Sequence, residues 1–175
     1  MPKPLPQIEA SDLSVRPFRE GGAVDWLHYL EMPDVSNLTG WQVSSTSELL
    51  LLMQPDAWHG PIRFALAGKD DDRLVGPIGF VDISGGEAEI AYDLTPGLWS
   101  RGIASAACDA VSVWGYTYLG LQSIKACARV DNRASARVLE KCHFRLEGTA
   151  RENRYANGKP ADYWVYRRPA ASRRP

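Results

Sequence analysis

Glu89, on a predicted strand, is the first candidate for chemistry in this sequence. In the segment Ala88-Glu-Ile-Ala-Tyr-Asp-Leu94, Glu89 and Asp93 share one face, because side chains alternate along a strand. A carboxylate is one of the side-chain types that can act as a general base for an attacking nucleophile. A strand carboxylate that faces solvent or forms an ion pair is the alternative role for Glu89.

A loop that contains a glycine follows this strand and leads into a predicted helix. The loop runs from Thr95 to Ala104, and Gly102 would let its backbone approach a ligand closely. Free amides at the start of a helix, together with the helix dipole, favour phosphate oxygens. The loop lacks the Lys-Ser/Thr ending of a P-loop and the glycine spacing of a dinucleotide-binding turn, which disfavours nucleotide hydrolysis and hydride transfer. Taken alone, it could equally be a simple connecting turn.

The cysteines and histidines indicate neither a metal site nor a thiol nucleophile. Cys108, Cys127 and Cys142 are odd in number and no two of them are two residues apart, so we predict no disulfide framework and no zinc knuckle. Cys142 stands beside His143 at a helix end, where adjacent side chains diverge, so a buried structural cysteine is favoured over a catalytic dyad. The three histidines lack ligand spacing, and we predict no metal.

Length and composition are typical of one soluble domain. The chain has 175 residues, of which 45% are hydrophobic and 23% are charged, and its net charge is -1. This charge disfavours binding to nucleic acid, and the longest strongly apolar run, Leu49–Met53, is too short to span a membrane. We therefore expect a cytoplasmic protein without a signal peptide. Residues 1–11 are predicted as a flexible arm, 12–168 as a single domain and 169–175 as a flexible tail.

Hydrophobic periodicity predicts a mixture of strands and helices that would position these residues. Strands are expected at 13–18, 62–67, 74–83, 88–94, 123–130, 145–151 and 163–167, the last two around a turn at Asn157-Gly158. Helices are expected at 24–30, from Ser45 to near Pro55, at 103–120 and at 134–142, with a loop at 33–40.

These segments, in this order, resemble the GNAT superfamily of acetyl-CoA-dependent N-acetyltransferases, and in particular its RimJ/RimL-like branch. The residues that carry the resemblance lie at 88–94, at Leu98-Trp-Ser-Arg-Gly-Ile-Ala104 and at Val130–Phe144, with weaker matches elsewhere along the chain. The resemblance implies an α/β (α+β layered) fold, with a mixed, mostly antiparallel central sheet of about seven strands and helices on both faces.

The resemblance also implies a site for acetyl-CoA. Its pyrophosphate would bind the amides of Arg101, Gly102, Ile103, Ala104 and Ser105, and its pantetheine arm would run beside a splayed strand that ends at Leu94 and Thr95. Asn132 would contact the cofactor and cap the next helix. Arg137 and Lys141 would either reach the outer phosphate or form a solvated helix face.

For catalysis, the resemblance implies Glu89 as a general base acting through water and Ser135 as the residue that protonates or holds the leaving thiolate. A serine that satisfies a backbone group in the first helical turn is the alternative for Ser135. Histidine replaces the family's usual glycine at position 143, where a left-handed backbone is expected. A second glutamate base found in certain branch members is replaced by Arg154.

The implied activity is acetyl transfer from acetyl-CoA to an amine by direct attack in a ternary complex, without a metal or an acetylated enzyme. The acceptor would be a protein amino terminus, such as that of a ribosomal protein, or a small-molecule amine. Trp26, Trp41 and Trp58 lie in the part that covers the acceptor side in the family, although core packing is the default for Trp26. The alternative function is a non-catalytic acyl-CoA-binding or sensing module. Exposed sheet edges would also allow a homodimer.

Overall fold

A seven-stranded sheet positions the other elements in the computed structural model, which describes residues 3–9, 12–39, 43–53, 62–156 and 159–170. The strands are β1 (Leu13–Pro17), β2 (Ile62–Gly68), β3 (Leu74–Ser84), β4 (Glu87–Tyr92), β5 (Ser123–Arg129), β6 (Arg145–Ala156) and β7 (Lys159–Pro169). The helices are α1 (Gly22–Leu30), α2 (Pro33–Thr39), α3 (Thr46–Met53), α4 (Ile103–Trp114) and α5 (Arg133–Lys141).

The strand order confirms the predicted fold class. The sheet runs β1-β2-β3-β4-β5-β7-β6, and among the described strands β4 and β5 form the parallel pair while all other neighbours are antiparallel. The first three helices pack on one face, where Trp26, Val35 and Leu49 meet Ala65 of β2. The other two helices pack on the opposite face against a larger core. Helices therefore cover both faces, as predicted.

The predicted loop at 33–40 is wrong, because Pro33–Thr39 forms α2. Proline suits the first position of a helix, where its missing N–H group would have no intrahelical partner. Val35 is 1% exposed, so one side of this short helix contributes to the core. Residues 33–39 are of types that favour loops, but the burial of Val35 in the core outweighs the low helix propensity of these residues.

The predicted helix at 103–120 is confirmed in outline. After α4, the chain makes one π-helical turn at Gly115–Leu119, and the left-handed Gly120 ends it with a φ of +69°. No helix within the described ranges is long and apolar enough to cross a membrane.

Part of the predicted N-terminal arm contacts the domain. The carbonyl oxygen of Pro4 accepts a hydrogen bond of 2.6 Å from the Trp114 indole, and Leu5 and Ile8 pack against the larger core. The predicted turn at Asn157-Gly158 and residues 171–175 of the predicted tail lie outside the described residues.

Candidate active site

β4 and β5 separate where the predicted cofactor site begins. Their parallel pairing ends with Glu89 opposite Lys125, although β4 continues to Tyr92 and β5 to Arg129. Backbone groups on the two facing edges are then open to a ligand that can form main-chain-like hydrogen bonds. The amides of Asp93 and Thr95, just after β4, both donate to β3, so they hold the end of the strand away from β5.

The start of α4 supplies free backbone donors next to this gap. Gly102 has a φ of +77°, and its carbonyl accepts the first helical bond from the amide of Ala106 at 3.0 Å. The amides of Ile103, Ala104 and Ser105 have no backbone acceptor in the described part of the chain, as expected for a first helical turn. A Cβ atom added at Gly102 would meet no atom within 4 Å, so a side chain at this position would enter open space. This arrangement suits an anionic ligand such as a phosphate.

A pocket of about 380 Å³ lies between the start of α4, the end of β4, α5 and α2. Seven of the residues predicted from sequence line it: Leu94, Gly102, Ile103, Ala104, Ser105, Asn132 and Ser135. Arg137 and Lys141 are exposed and also line it, so they are placed to meet a ligand that extends toward solvent.

Two predicted cofactor residues lie beside the pocket and are not among its described lining residues. The amide of Thr95 donates to the carbonyl of Val75 on β3 at 2.8 Å. Arg101 is exposed, one residue before Gly102. Between the strand end and α4, the Trp99 indole donates to the carbonyl of Leu94 at 2.7 Å and fixes the intervening loop. Roles for Thr95 and Arg101 in binding stay predictions.

Asn132, Ser135 and Tyr92 form a connected polar group on the α5 side of the pocket. The side-chain oxygen of Asn132 accepts the amide of Ser135 at 3.0 Å, so the predicted capping role is confirmed. The Ser135 hydroxyl lies 3.2 Å from the Tyr92 hydroxyl, which also donates to the Ser135 carbonyl at 3.3 Å. Burial raises the pKa of Tyr92 well above its ordinary value, so this hydroxyl stays protonated. No pattern in the sequence indicated this contact between Tyr92 and α5.

Glu89 lies on the predicted strand face but is not among the described residues that line the pocket. Its Oε2 is 3.5 Å from the Nζ of Lys125, and its side chain is 9% exposed. At roughly 3.3 Å per residue, it is about 13 Å along the strand direction from Asp93. The ion-pair role that the sequence left open for Glu89 is therefore present, and its role as general base stays a prediction.

Asp93 places a buried carboxyl group on the α1 side of the same pocket. Its Oδ1 accepts hydrogen bonds from the Trp26 indole at 3.0 Å and from the Tyr29 hydroxyl. The residue keeps some surface in the pocket, although protein atoms surround its carboxyl group on most sides. Burial raises the pKa of Asp93 from 3.8 to about 6, against the opposing effects of the Tyr29 hydrogen bond, the Arg63 charge and the Trp26 hydrogen bond. A pocket carboxyl group that titrates near neutral pH can exchange a proton with a ligand.

Arg63 of β2 completes this buried group, which we call the Asp93 cluster and which consists of Asp93, Trp26, Tyr29 and Arg63. The Nε atom of Arg63 is buried and has no hydrogen-bond partner in the described part of the chain. Burial lowers the pKa of Arg63, while the charge of Asp93 raises it. Trp26 is fully buried, as its default core role required, and it also donates to Asp93. Trp41 and Trp58 lie outside the described residues.

α2 closes the pocket near the Asp93 cluster. Arg129 of β5 donates to the carbonyl of Asn37 at 2.5 Å and so ties α2 to the sheet. Val35, Leu38 and Thr39 of this helix line the pocket. The wall next to the Asp93 cluster is therefore largely apolar.

The remaining cysteine and histidine predictions concern the end of α5. His143 has a φ of +64°, which confirms the predicted left-handed backbone. Cys108 and Cys142 are buried, and the Cys142 thiol donates to the carbonyl of Ser105 at 3.2 Å, which fits a structural role. Within the described ranges, no group of three His, Cys, Asp or Glu side chains could hold a metal ion.

Comparison with known families and sequences gives one consistent picture. The model of an acetyltransferase (GNAT) domain matches residues 12–145. An uncharacterized N-acetyltransferase of Bacillus subtilis, YoaA, is 39% identical over 107 residues, which are 60% of either protein. An uncharacterized N-acetyltransferase of Bacillus licheniformis, p20, is 30% identical over 145 residues, which span 79% of this chain and 82% of that protein.

Solved structures share the fold at low sequence identity. RimJ of Mycobacterium smegmatis, in complex with CoA-disulfide, superposes with a TM-score of 0.81 and 21% identity, covering 94% of this chain and 85% of that one. Ribosomal-protein-S5-alanine acetyltransferase from Vibrio fischeri superposes with a TM-score of 0.80 and 19% identity, covering 96% of this chain and 98% of that one. Spermidine N-acetyltransferase from Vibrio cholerae, in complex with CoA and spermine, superposes with a TM-score of 0.77 and 20% identity, covering 91% of this chain and 96% of that one.

Proposed function

Because this chain belongs to the GNAT acetyltransferase family, we propose that it moves the acetyl group of acetyl-CoA to an amine by direct attack in a ternary complex. One observation carries the proposal. The free amides at the start of α4 and the unpaired edge of β4 open into one pocket with the hydroxyls of Ser135 and Tyr92. Phosphate binding and acetyl transfer need these two kinds of group side by side.

The residues of the pocket suit acetyl-CoA. The amides from Gly102 to Ser105 would hold its pyrophosphate, with Arg101 as a nearby cation. The amide of Leu94, between two amides that donate to β3, has no backbone acceptor among the described residues and would be available to the pantetheine arm. Arg137 and Lys141 would meet the outer phosphate. When bound, acetyl-CoA supplies an activated thioester. Ser135, held by its contact with Tyr92, would donate a proton to the sulfur that leaves.

For the acceptor we propose two classes to be compared directly, namely a protein amino terminus that begins with alanine and a polyamine. Support comes from the shared fold with an acetyltransferase named for ribosomal protein S5 alanine and with one named for spermidine. The apolar wall formed by α2 would contact carbon atoms of either class. The predicted cytoplasmic location and homodimer stay predictions.

The proposal is tested by release of free thiol from acetyl-CoA in the presence of purified full-length chain. The amines are an alanine-terminated peptide and spermidine, and a reaction without amine is the control. We expect amine-dependent thiol release, an acetylated amine in the mass spectrum, and intersecting initial-velocity lines that indicate a ternary complex. Tight acetyl-CoA binding without turnover of any amine would favour the non-catalytic acyl-CoA-binding module, and an absence of binding would contradict both functions.

A further inference from the structure

We infer that Asp93 is the catalytic residue on the acceptor side, and that its Oδ2 atom binds the acceptor nitrogen and takes the proton that this nitrogen loses. The inference rests on the proposed function and names the residue that serves the amine. It assigns this task to a carboxyl group in the pocket wall.

Asp93 lies across the pocket from the hydroxyl groups of Tyr92 and Ser135. Tyr92 and Asp93 are consecutive, so their side chains point to opposite faces of the sheet, yet both residues line the same pocket. Tyr92 meets Ser135 on the α5 side, while Asp93 meets Trp26 on the α1 side. The pocket therefore has hydroxyl groups on one side and a carboxyl group on the other. Acyl transfer needs an acid near the leaving atom and a base near the attacking atom, and the pocket provides both.

The hydrogen bonds of Asp93 leave one oxygen for a ligand. Trp26 and Tyr29 both donate to Oδ1, and both are almost completely buried on α1, so they fix the orientation of the carboxyl group. Among the described residues, none donates to Oδ2. A carboxyl group with one oxygen anchored and the other open is preorganised to receive an N–H group.

The charges around Asp93 suit a base for a neutral or nearly neutral amine. The titratable and charged groups that face it are Tyr29 from α1 and Arg63 from β2, while β3 approaches with Gly76 and Pro77, which cannot titrate. The positive charge of Arg63 disfavours a second cation and favours ionisation of Asp93. With a pKa of about 6, Asp93 is mostly ionised at neutral pH and can still accept a proton.

Glu89, on the same strand face, is placed less well for this task. Its carboxylate pairs with Lys125 at 3.5 Å, and it is not among the described residues that line the pocket. A proton relay from the position of Asp93 to Glu89 would have to run about 13 Å along the strand direction, a separation that needs several waters in a chain.

The resulting step balances. The amine nitrogen forms a bond to the acetyl carbonyl carbon, the carbon–sulfur bond breaks, and the nitrogen proton passes to Oδ2 of Asp93. The departing sulfur receives a proton from the Ser135 hydroxyl. Asp93 then releases its proton to solvent, and Ser135 regains one from solvent.

The test compares Asp93→Asn with Asp70→Asn, a matched change at an exposed residue in the turn between β2 and β3. The measurement is kcat/KM per concentration of neutral amine, from about pH 5 to about pH 9, using the acceptor that the unmodified chain turns over. We expect Asp93→Asn to lower kcat/KM by about 10²–10⁴-fold and to remove the acidic limb near pH 6. Acetyl-CoA affinity, measured by calorimetry, should change less than about twofold, since its donors are backbone amides elsewhere.

Several outcomes would overturn the inference. One is an Asp93→Asn variant that keeps its rate and acidic limb, and another is loss of the limb in Glu89→Gln alone. If Asp93→Asn does not fold, Asp93→Glu takes its place and should keep an acidic limb at a reduced rate; absence of that limb counts against the inference. Should the unmodified chain bind acetyl-CoA but acetylate no amine, the proposed function fails by itself. Calorimetry with spermidine then tests the binding part of the inference alone, because weaker binding to Asp93→Asn supports a contact between the amine and Asp93 and equal binding contradicts it.

Discussion

The two sides of the pocket are built from different kinds of group. On the side that we propose for acetyl-CoA, which we call the cofactor side, the donors are mainly backbone amides at the start of α4, joined by the neutral side chains of Asn132 and Ser135. Its cations, Arg137 and Lys141, are exposed and stand at the solvent end of the pocket. On the acceptor side, the Asp93 cluster buries a carboxyl group and a guanidinium with two aromatic donors. A backbone site depends on helix geometry and on the space that a glycine leaves, whereas a charge cluster depends on each member. We therefore expect the cofactor side to tolerate most side-chain changes unless they fill its open space, and the acceptor side to respond to a change in any member of the Asp93 cluster.

The largest expected effect concerns the backbone donors. Gly102→Glu places a charged side chain in the open space before the α4 amides and imposes a side chain on a backbone with a φ of +77°. We expect acetyl-CoA affinity to fall by about 100-fold or more, that is by about 2.8 kcal/mol or more, which the loss of one or two charge-assisted hydrogen bonds of roughly 1.5–3 kcal/mol each would produce. Calorimetry with acetyl-CoA measures this change.

Gly85→Glu is the matched control for that experiment. Gly85 is also left-handed, with a φ of +57°, and a Cβ atom there would meet nothing within 4 Å. It lies in the turn between β3 and β4, away from the pocket. Equal losses of affinity in the two variants would show that backbone strain, rather than occupation of the phosphate site, weakens binding.

The next effect separates the stability of the acceptor side from its activity. The pKa of Asp93 in the folded chain is about 6, above its ordinary value of 3.8, so the folded state holds this proton more tightly than the unfolded state. Stability is therefore lost as the pH rises from about 4 through about 6. Asp93→Asn keeps an acceptor for Trp26 and Tyr29 without the charge, and at pH 8 it should raise the free energy of unfolding by on the order of 3 kcal/mol.

Thermal unfolding of the two proteins across the pH range checks this expectation. At pH 8 the midpoint of Asp93→Asn should be higher by about 6–12 °C, and the difference should shrink toward pH 4. A variant that is less stable at every pH would indicate that Arg63 requires the charge of Asp93 more than burial disfavours it.

The same contrast explains what could be predicted from the sequence. The contacts on the cofactor side are between residues close in sequence. Gly102 directly precedes the first turn of α4, and Asn132 caps α5 by accepting the amide of Ser135, three residues later. The alternation of β4 placed Asp93 on the correct face. Its partners Trp26 and Tyr29 are 67 and 64 residues away in sequence, however, and their contact depends on how α1 packs on the sheet. The part of the pocket wall that α2 forms was missed for the same reason. This segment is helical because Val35 is buried in the tertiary structure, which its local sequence does not show.

A smaller effect tests whether Tyr29 positions and tunes Asp93. The Tyr29 hydrogen bond lowers the pKa of Asp93, so Tyr29→Phe should raise this pKa and move the acidic limb of kcat/KM to higher pH. One lost hydrogen bond predicts a shift of about half a unit to one unit, with the rate at pH 9 nearly unchanged. Tyr118→Phe, at a residue that is 40% exposed, is the control. An unmoved limb in Tyr29→Phe would mean that another group produces it.

The smallest effect is expected for a buried side chain that contacts the first turn of α4. Cys142 is 2% exposed, and its thiol donates to the carbonyl of Ser105, within the first turn of α4. If the amides of that turn bind acetyl-CoA, their direction is set by the helix, and loss of one bond to a carbonyl should hardly move them. Cys142→Ala should therefore change kcat and acetyl-CoA affinity by less than about twofold, while the small cavity lowers stability by about 1 kcal/mol. Steady-state kinetics and calorimetry measure the first two quantities, and mass spectrometry of the chain after turnover should find no acetylated cysteine. A large loss of kcat in Cys142→Ala, or an acetyl group on Cys142 that turns over at the catalytic rate, would show that the cofactor side depends on a side chain after all.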